Sequence, residues 1–505
     1  MHTMLSLLHR FKIGVWAAGL AVATHSAWAQ TPPSSLPETV MQALAQAKVP
    51  ASAVSVVVAP VQSHTHNGSG IQLRHRATES VNPASAMKLV TTLAALETLG
   101  PAYLWQTRVF TDGPIVNGTL QGSLFLQGGG DPKLVSERLW LLLHRVRGLG
   151  ISRIAGDIVI DRSVFDVPLT DPAAFDGEPL RPYNASPDGL LVNFKSQLFT
   201  FVPDAAAGVA RIIMEPPLAG VQAPAAVPLA RGACNDWRAS LQADFSNAVQ
   251  PRFAGRYPAS CGERIWPVAH PEPERLTPRA VQGLWHSLGG QLQGQVREGR
   301  VNPQAELRLT FDSPPLAEVV RDVNKFSNNV MAQHLLLTLG LPPAERAAGP
   351  TAAALPASIG GAPSALLTAP SATFTSGQQA IARWWAQRLP QWPAPLVVNG
   401  AGLSRDERIT ADAMAALLQA AYASPMMPDF VASLPVSGLD GTLRRSTMGT
   451  GLAHLKTGSL RDVYALAGYV HNPQGQRYVL VAIINHPNAN AARPALERLV
   501  QWVGR

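Results

Sequence analysis

Three short motifs follow one another along this chain of 505 residues: Ser85-Ala86-Met87-Lys88, Ser327-Asn328-Asn329 and Lys456-Thr457-Gly458. Ser327 lies 242 residues after Ser85, and Lys456 lies 129 after Ser327. Two serines and two lysines make chemical sense together only if the fold brings all three motifs to one place. That requirement constrains the architecture more than any bulk property. It calls for one domain that begins before Ser85, is interrupted, and resumes before Ser327.

Scarcity of lysine sharpens the signal. The chain has seven lysines among its 41 basic residues, and two of the seven fall inside the motifs. Lys325 stands two positions before Ser327. A Ser three before some Lys is expected by chance roughly 0.4 times, and Lys-Thr-Gly about 0.03 times, at average residue usage. Ser-x-Asn alone is common, so order and surroundings carry the specificity.

The length exceeds what one core usually serves and predicts two or more domains. The first residues read as a secretory leader, with basic Arg10 and Lys12, an apolar run Ile13 to Ala23, and Ala27-Trp28-Ala29 as a small-x-small cleavage site. The run is short for a bilayer span; an uncleaved anchor is the alternative. Residues 1–29 are therefore expected to be removed, leaving an exported, periplasmic protein that starts at Gln30. Losing Arg10 and Lys12 lowers the net charge from +8 to +6. That residual charge suits an anionic polymer such as cell wall, and equally a generic arginine-rich surface. No nucleic-acid module is recognisable. Weak membrane association and a homodimer stay open. Cys234 and Cys261 are the two cysteines, and in an exported chain the pair most simply forms a disulfide contributing roughly 3.5 kcal/mol. His64-Thr65-His66 lacks a third ligand, and neither a metal nor a cofactor is expected.

Patterning locates the motifs. Leu36 to Ala47 reads as a helix, Ala53 to Ala59 as a buried strand, and Ser85 to Leu99 as a helix stopped by Gly100-Pro101. Thr107 to Gln127 then reads as a hairpin with turns at Asp112-Gly113 and Asn117-Gly118. A helix over Leu134 to Arg147 and a strand over Arg153 to Asp161 follow. Residues 105–311 are read as an insertion of mostly β character, in one or two subdomains. Helical patterns return at Leu316–Asn324, Val330–Leu339, Gly377–Arg388 and Ala411–Ala423. An Ala/Pro/Gly/Ser-rich loop spans 341–372. Three strands, 453–458, 463–471 and 477–485, and a last helix, 491–503, close the chain. The predicted class is α+β, an antiparallel sheet flanked by helices, formed by residues 30–104 and 312–505.

The residue types suit acyl transfer. On a helix, positions three apart share a face, so Lys88 can take the proton of the Ser85 hydroxyl once its amine is neutral. Lowering a lysine pKa by about three units needs burial and a neighbouring cation, for which Lys456 is the candidate. Ser327 can relay a proton towards a leaving amine. Asn329 can pair with a substrate amide through its carboxamide, although Ser-Asn-Asn is by itself a common turn or cap. Lys456 and the hydroxyls of Thr457 and Ser459 suit a terminal carboxylate. Gly458 permits close backbone approach by a substrate. The backbone N–H groups of Ser85 and Ser459 could form an oxyanion hole.

With these residues in hand, the chain resembles the D-alanyl-D-alanine carboxypeptidase/endopeptidases, the class C low-molecular-mass penicillin-binding proteins. The resemblance runs from about residue 33 to the C-terminus. It includes Gly129-Gly130-Asp131-Pro132, Tyr183-Asn184-Ala185, Leu191-Val192-Asn193-Phe194, Asn399 to Arg405 and Leu434 to Leu443. It implies a transpeptidase-like domain split by two inserted domains, with Ser85 as nucleophile and Lys88 as base. It also implies serine-type hydrolysis of the D-Ala-D-Ala bond of peptidoglycan stem peptides and, as a second activity, of D-Ala to diaminopimelate cross-links. β-Lactams are then expected to acylate Ser85. Three positions depart from the pattern: Asn399 where Asp is expected, Ala401 where Ser is, and Lys195 where Asn is usual. The Glu-x-x-Leu-Asn motif of class A β-lactamases is missing, which favours a peptidase over the alternatives, a β-lactamase or esterase on the same scaffold. An inactive wall-binding protein is the remaining alternative.

Overall fold

The computed structural model describes residues 35–61, 72–346 and 371–505. The expected leader, its cleavage point, His64-Thr65-His66 and most of the 341–372 stretch lie outside them.

Five antiparallel strands form the central sheet, in the order Leu73–His75, Val54–Pro60, Arg477–Asn485, Val463–His471, Ala453–Leu460. The inner strands are apolar almost without interruption, so both faces must be covered. Side chains alternate between two cores, as a strand period of two demands. Val54, Val56, Val58, Leu480, Ala482 and Ile484 face one core, closed by the helices Glu38–Gln46 and Arg493–Val503. Val57, Val479, Val481 and Ile483 face the other. There lie the helices Lys88–Leu99, Leu316–Phe326, Asn329–Leu339 and Ala411–Tyr422. Asn329–Leu339 is buried along its whole length, which its apolar circumference requires.

The elements match the patterning closely, with local differences. Residues Ala84–Met87 form a 3₁₀ turn before the helix proper begins at Lys88. The strand expected over 153–161 is two short strands, Arg153–Ile154 and Ile158–Asp161. Gly156 between them lies so near the Gly122 carbonyl that a Cβ would sit 2.7 Å from it.

The strands Gln106–Thr111 and Glu306–Asp312 pair antiparallel, so the two ends of the intervening segment return to one place. They are two strands of a second five-stranded sheet, and the segment between them forms a further one. The first packs on the helices Ser136–Gly148 and Pro273–Ser287. The second helix was not read from the sequence, although Pro273 opens it and Leu276, Ala280, Val281 and Leu284 form its apolar stripe. The other sheet carries an aromatic core of Phe199, Phe201, Phe245, Phe253 and Tyr257 and the Cys234–Cys261 disulfide.

His334 ties this segment to the helix Asn329–Leu339. Its Nδ1 lies 2.9 Å from the Gly130 carbonyl, and its Nε2 accepts from the Asp188 backbone N–H at 3.2 Å. Asp188 pairs with Lys195 at 3.1 Å, both buried. Lys195, unusual in sequence, thus has a local partner. Among the described residues no helix is long and apolar enough to cross a membrane.

Candidate active site

The turn that carries Ser85 sits against the edge strand Ala453–Leu460. In a 3₁₀ turn residues three apart eclipse, which stacks Lys88 on Ser85. Lys88 Nζ lies 3.0 Å from Ser85 Oγ. It lies 2.6 Å from Asn329 Oδ1 and 2.5 Å from the Ala401 carbonyl. As an ammonium, Lys88 satisfies all three acceptors with its three N–H bonds. A neutral amine has two N–H bonds and one lone pair; the two carbonyl oxygens take the N–H bonds, leaving the lone pair for the Ser85 proton. Burial brings the Lys88 pKa down to about 7, against the opposing pull of the Glu407 carboxylate.

Ser327 ends the helix Leu316–Phe326 in the left-handed conformation, φ 57°. Asn328 caps the next helix, its Oδ1 accepting from the Met331 N–H at 3.1 Å. The segment is therefore a helix junction as well as a site. A non-glycine residue at that φ stores strain of about 1–3 kcal/mol, and such residues cluster at functional sites. Lys456 Nζ donates to Ser327 Oγ at 2.8 Å and to the Thr457 carbonyl at 2.7 Å. Its pKa is held well below the lysine range by complete burial and then by the charge of Lys88. Lys325, by contrast, turns away and pairs with Asp440 at 2.6 Å.

Three expectations need revision in detail. Both ends of the Asn329 carboxamide are already engaged, because Nδ2 donates to the Tyr183 carbonyl at 3.0 Å; one lone pair and one N–H remain for a ligand. Gly458 is needed for close approach, but the approaching backbone is the protein's own: a Cβ would lie 2.4 Å from the Pro83 carbonyl. The Thr457 and Ser459 hydroxyls bond Thr442 Oγ1 and Asn490 Oδ1, each at 2.9 Å, so neither is idle.

A groove of about 560 Å³ opens over Ser85, lined also by Ser327, Asn329 and Ser459. Lys88 and Lys456 are buried beneath it. Sequence reasoning missed the rest of the lining: Phe175 and Asp176, with Tyr183, come from the inserted segment, and Leu403, Arg405 and Arg461 come from loops around the sheet. Asp176 accepts from Tyr183 Oη and Asn184 Nδ2, both at 2.8 Å. Tyr183, Leu403 and Arg405 lay within the quoted resemblance; nothing local marked Phe175, Asp176, Leu460 or Arg461.

Glu407 was also missed. It is fully buried, and its Oε1 accepts from the backbone N–H groups of Val398, Asn399 and Gly400 at 3.0–3.2 Å. Burial raises its pKa to about 7 despite those bonds and Lys88. Asn399 holds the same loop, donating to the Leu403 carbonyl and accepting from the Ala401 N–H. Among the described residues no cluster of three or more His, Cys, Asp or Glu is placed to hold a metal ion.

A lysine-assisted serine beneath a groove, on a helix-flanked antiparallel sheet, defines a class of serine peptidase. The chain belongs to the D-Ala-D-Ala carboxypeptidase 3 (S13) family, whose model matches residues 36–355 and 370–505. It is similar to a D-alanyl-D-alanine carboxypeptidase of an Actinomadura species, 30% identical over 84% of this chain and 78% of that one. It is 24% identical to the carboxypeptidase DacB of Haemophilus influenzae, over 80% of each. Its fold is that of penicillin binding protein 4 from the same organism, with TM-score 0.65 at 21% identity over 92% of this chain and 99% of that one.

Proposed function

We propose that the protein is a serine-type D-Ala-D-Ala carboxypeptidase of peptidoglycan stem peptides, with D,D-endopeptidase activity on cross-links. The observation that carries this is Lys88 Nζ at 3.0 Å from Ser85 Oγ with its other directions taken by Asn329 and Ala401. Ser85 Oγ attacks the carbonyl carbon of the penultimate D-Ala while its proton passes to Lys88. The backbone N–H groups of Ser85 and Ser459 are the donors assigned to the oxyanion. The C–N bond then breaks as the proton that Lys88 took from Ser85 is passed to the leaving amine through Ser327, which Lys456 contacts; Lys88 is neutral again. Water attacks the acyl-serine while its proton passes to Lys88; the bond to Ser85 Oγ then breaks, Lys88 gives that proton to Oγ, and the shortened peptide is freed with the serine and the neutral amine restored. Arg461 supplies positive charge for the substrate carboxylate, with Thr457 alongside. The mixed charges of Asp176 and Arg405 suit a stem side chain bearing both an amine and a carboxylate.

The same chemistry opens a β-lactam ring and leaves it on Ser85. A β-lactam complex of the Haemophilus penicillin binding protein 4 is known. In the proposed organisation residues 30–104 and 312–505 form the catalytic domain and 105–311 are inserted. Export to the periplasm after loss of residues 1–29 completes the reading.

Labelled penicillin followed by peptide mapping is the direct test. One label per chain at Ser85, and D-alanine release from a stem pentapeptide that Ser85→Ala abolishes, are expected. Label elsewhere overturns the mechanism, and rapid multiple turnover of a chromogenic cephalosporin would make the protein a β-lactamase.

A further inference from the structure

We infer that Glu407 is a positioning residue for acylation: it fastens the loop that presents the Ala401 carbonyl to Lys88, and its charge faces the ammonium that Lys88 becomes when Ser85 gives up its proton. The inference rests on the acyl-serine reading above and concerns a residue outside all three motifs.

The loop 398–403 is held on two sides. Glu407 Oε1 gathers three successive backbone N–H groups from Val398 to Gly400. The Gly400 carbonyl accepts from Thr91 Oγ1 at 2.7 Å, on the helix that begins with Lys88. Between these anchors the Ala401 carbonyl meets Lys88 at 2.5 Å. Gly402, φ 77°, runs against the Ser85 turn so tightly that a Cβ would sit 2.0 Å from the Ala84 carbonyl. Displacing this loop by a fraction of an ångström therefore moves both the base and the nucleophile.

Loop fastening alone does not account for a carboxylate. A glutamine oxygen accepts the same three N–H bonds at far lower desolvation cost. Glu407 Oε2 is buried and has no hydrogen-bond partner among the described residues. What compensates its charge is Lys88, the one side-chain charge among the described residues that acts on it. The reverse also holds, for Glu407 is the one charge among the described residues that favours the Lys88 ammonium. Other groups around the pair are accounted for. Asn329 is neutral. Lys456, on the motif strand, interacts with Lys88. Arg405 and Asp406 are exposed, and Arg408 directs its guanidinium to the backbone carbonyls of Arg405 and Glu407. With Glu407 ionised, the proton that leaves Ser85 thus arrives in a lysine–carboxylate pair with no net charge. The carboxylate expected at 399 by resemblance is replaced here by Asn399, and Glu407 restores a negative charge to the same loop.

The experiment is the pH profile of the second-order rate of acylation by a fluorescent penicillin, for the full chain and two variants. Glu407→Gln keeps the acceptor and removes the charge. Without the carboxylate the ammonium is less favoured, so the ascending limb should move to lower pH by about one unit. The plateau rate should fall several-fold, and the melting temperature should stay near that of the parent. Asn399→Asp adds a charge to the loop and should move the limb to higher pH. A Glu407→Gln limb that coincides with the parent overturns the inference, whatever happens to stability. If Glu407→Gln does not fold, an unmoved Asn399→Asp limb overturns it equally. Failure of the parent to label at Ser85 is a different result, and it removes the functional reading itself.

Discussion

Lys88 is chemically unlike a surface lysine because every direction around its nitrogen is assigned. Burial strips it of water, and two carbonyl oxygens hold its N–H bonds. With its pKa brought down to about 7, the neutral form needed to accept a proton is abundant at neutral pH. Acylation by penicillin should therefore rise with pH to a half-maximum near pH 7 and then level off. A half-maximum near the ordinary lysine range would contradict the assigned environment. Lys88→Met removes the base, and its acylation rate should fall by about 10²–10⁴-fold, measured by the same labelling. The sequence supplied Lys88 and Lys456 but not the Glu407 carboxylate, since a glutamate in Arg405-Asp406-Glu407-Arg408 looks like any solvated charge run.

At the scale of elements, the site is a contact between a strand and a turn. Lys456 and Gly458 project to one face of the edge strand, where the period of two places residues i and i+2. Lys456 reaches Ser327, and Gly458 leaves room for the Pro83 carbonyl. Gly458→Ala should push the strand from the Ser85 turn. We expect a loss of stability of about 1–3 kcal/mol by denaturant titration and a larger proportional loss of acylation rate. Wild-type behaviour on both counts would mean that the turn and strand are less tightly fitted than their geometry requires. Helix and strand limits were legible because apolar periodicity is strong in this chain. The 3₁₀ turn at Ala84–Met87 was not, because a tightening of one turn leaves the pattern of apolar residues unchanged.

For the molecule as a whole, the inserted segment is part of the site. Tyr183 holds Asn329, and Asp176 and Phe175 form a wall of the groove. The junction depends on His334, which is uncharged in the fold because burial lowers its pKa to about 4. The unfolded chain, with an ordinary histidine pKa of about 6.5, binds more protons between those values. The His334 contribution is therefore complete above about pH 6.5, is lost as pH falls towards 4, and is constant below. The loss is on the order of 3 kcal/mol. Urea unfolding at pH 7 and pH 4.5 should show a smaller pH dependence for His334→Gln than for the parent; equal slopes would refute the assignment.

By itself the sequence determined the three motifs, the fold class and the elements that carry them, because local apolar periodicity and residue chemistry are properties of short windows. It also placed the two cysteines in the segment where they are bonded. Tertiary structure alone decided the rest. Glu407, Asp176 and Arg461 acquire meaning only through neighbours distant in the chain, and no short window encodes a distance. The same is true of Gly458, whose open side is filled by Pro83, and of Asn329, whose carboxamide is shared with Tyr183. Burial sets the proton affinity of Lys88, and burial is a property of the packed molecule.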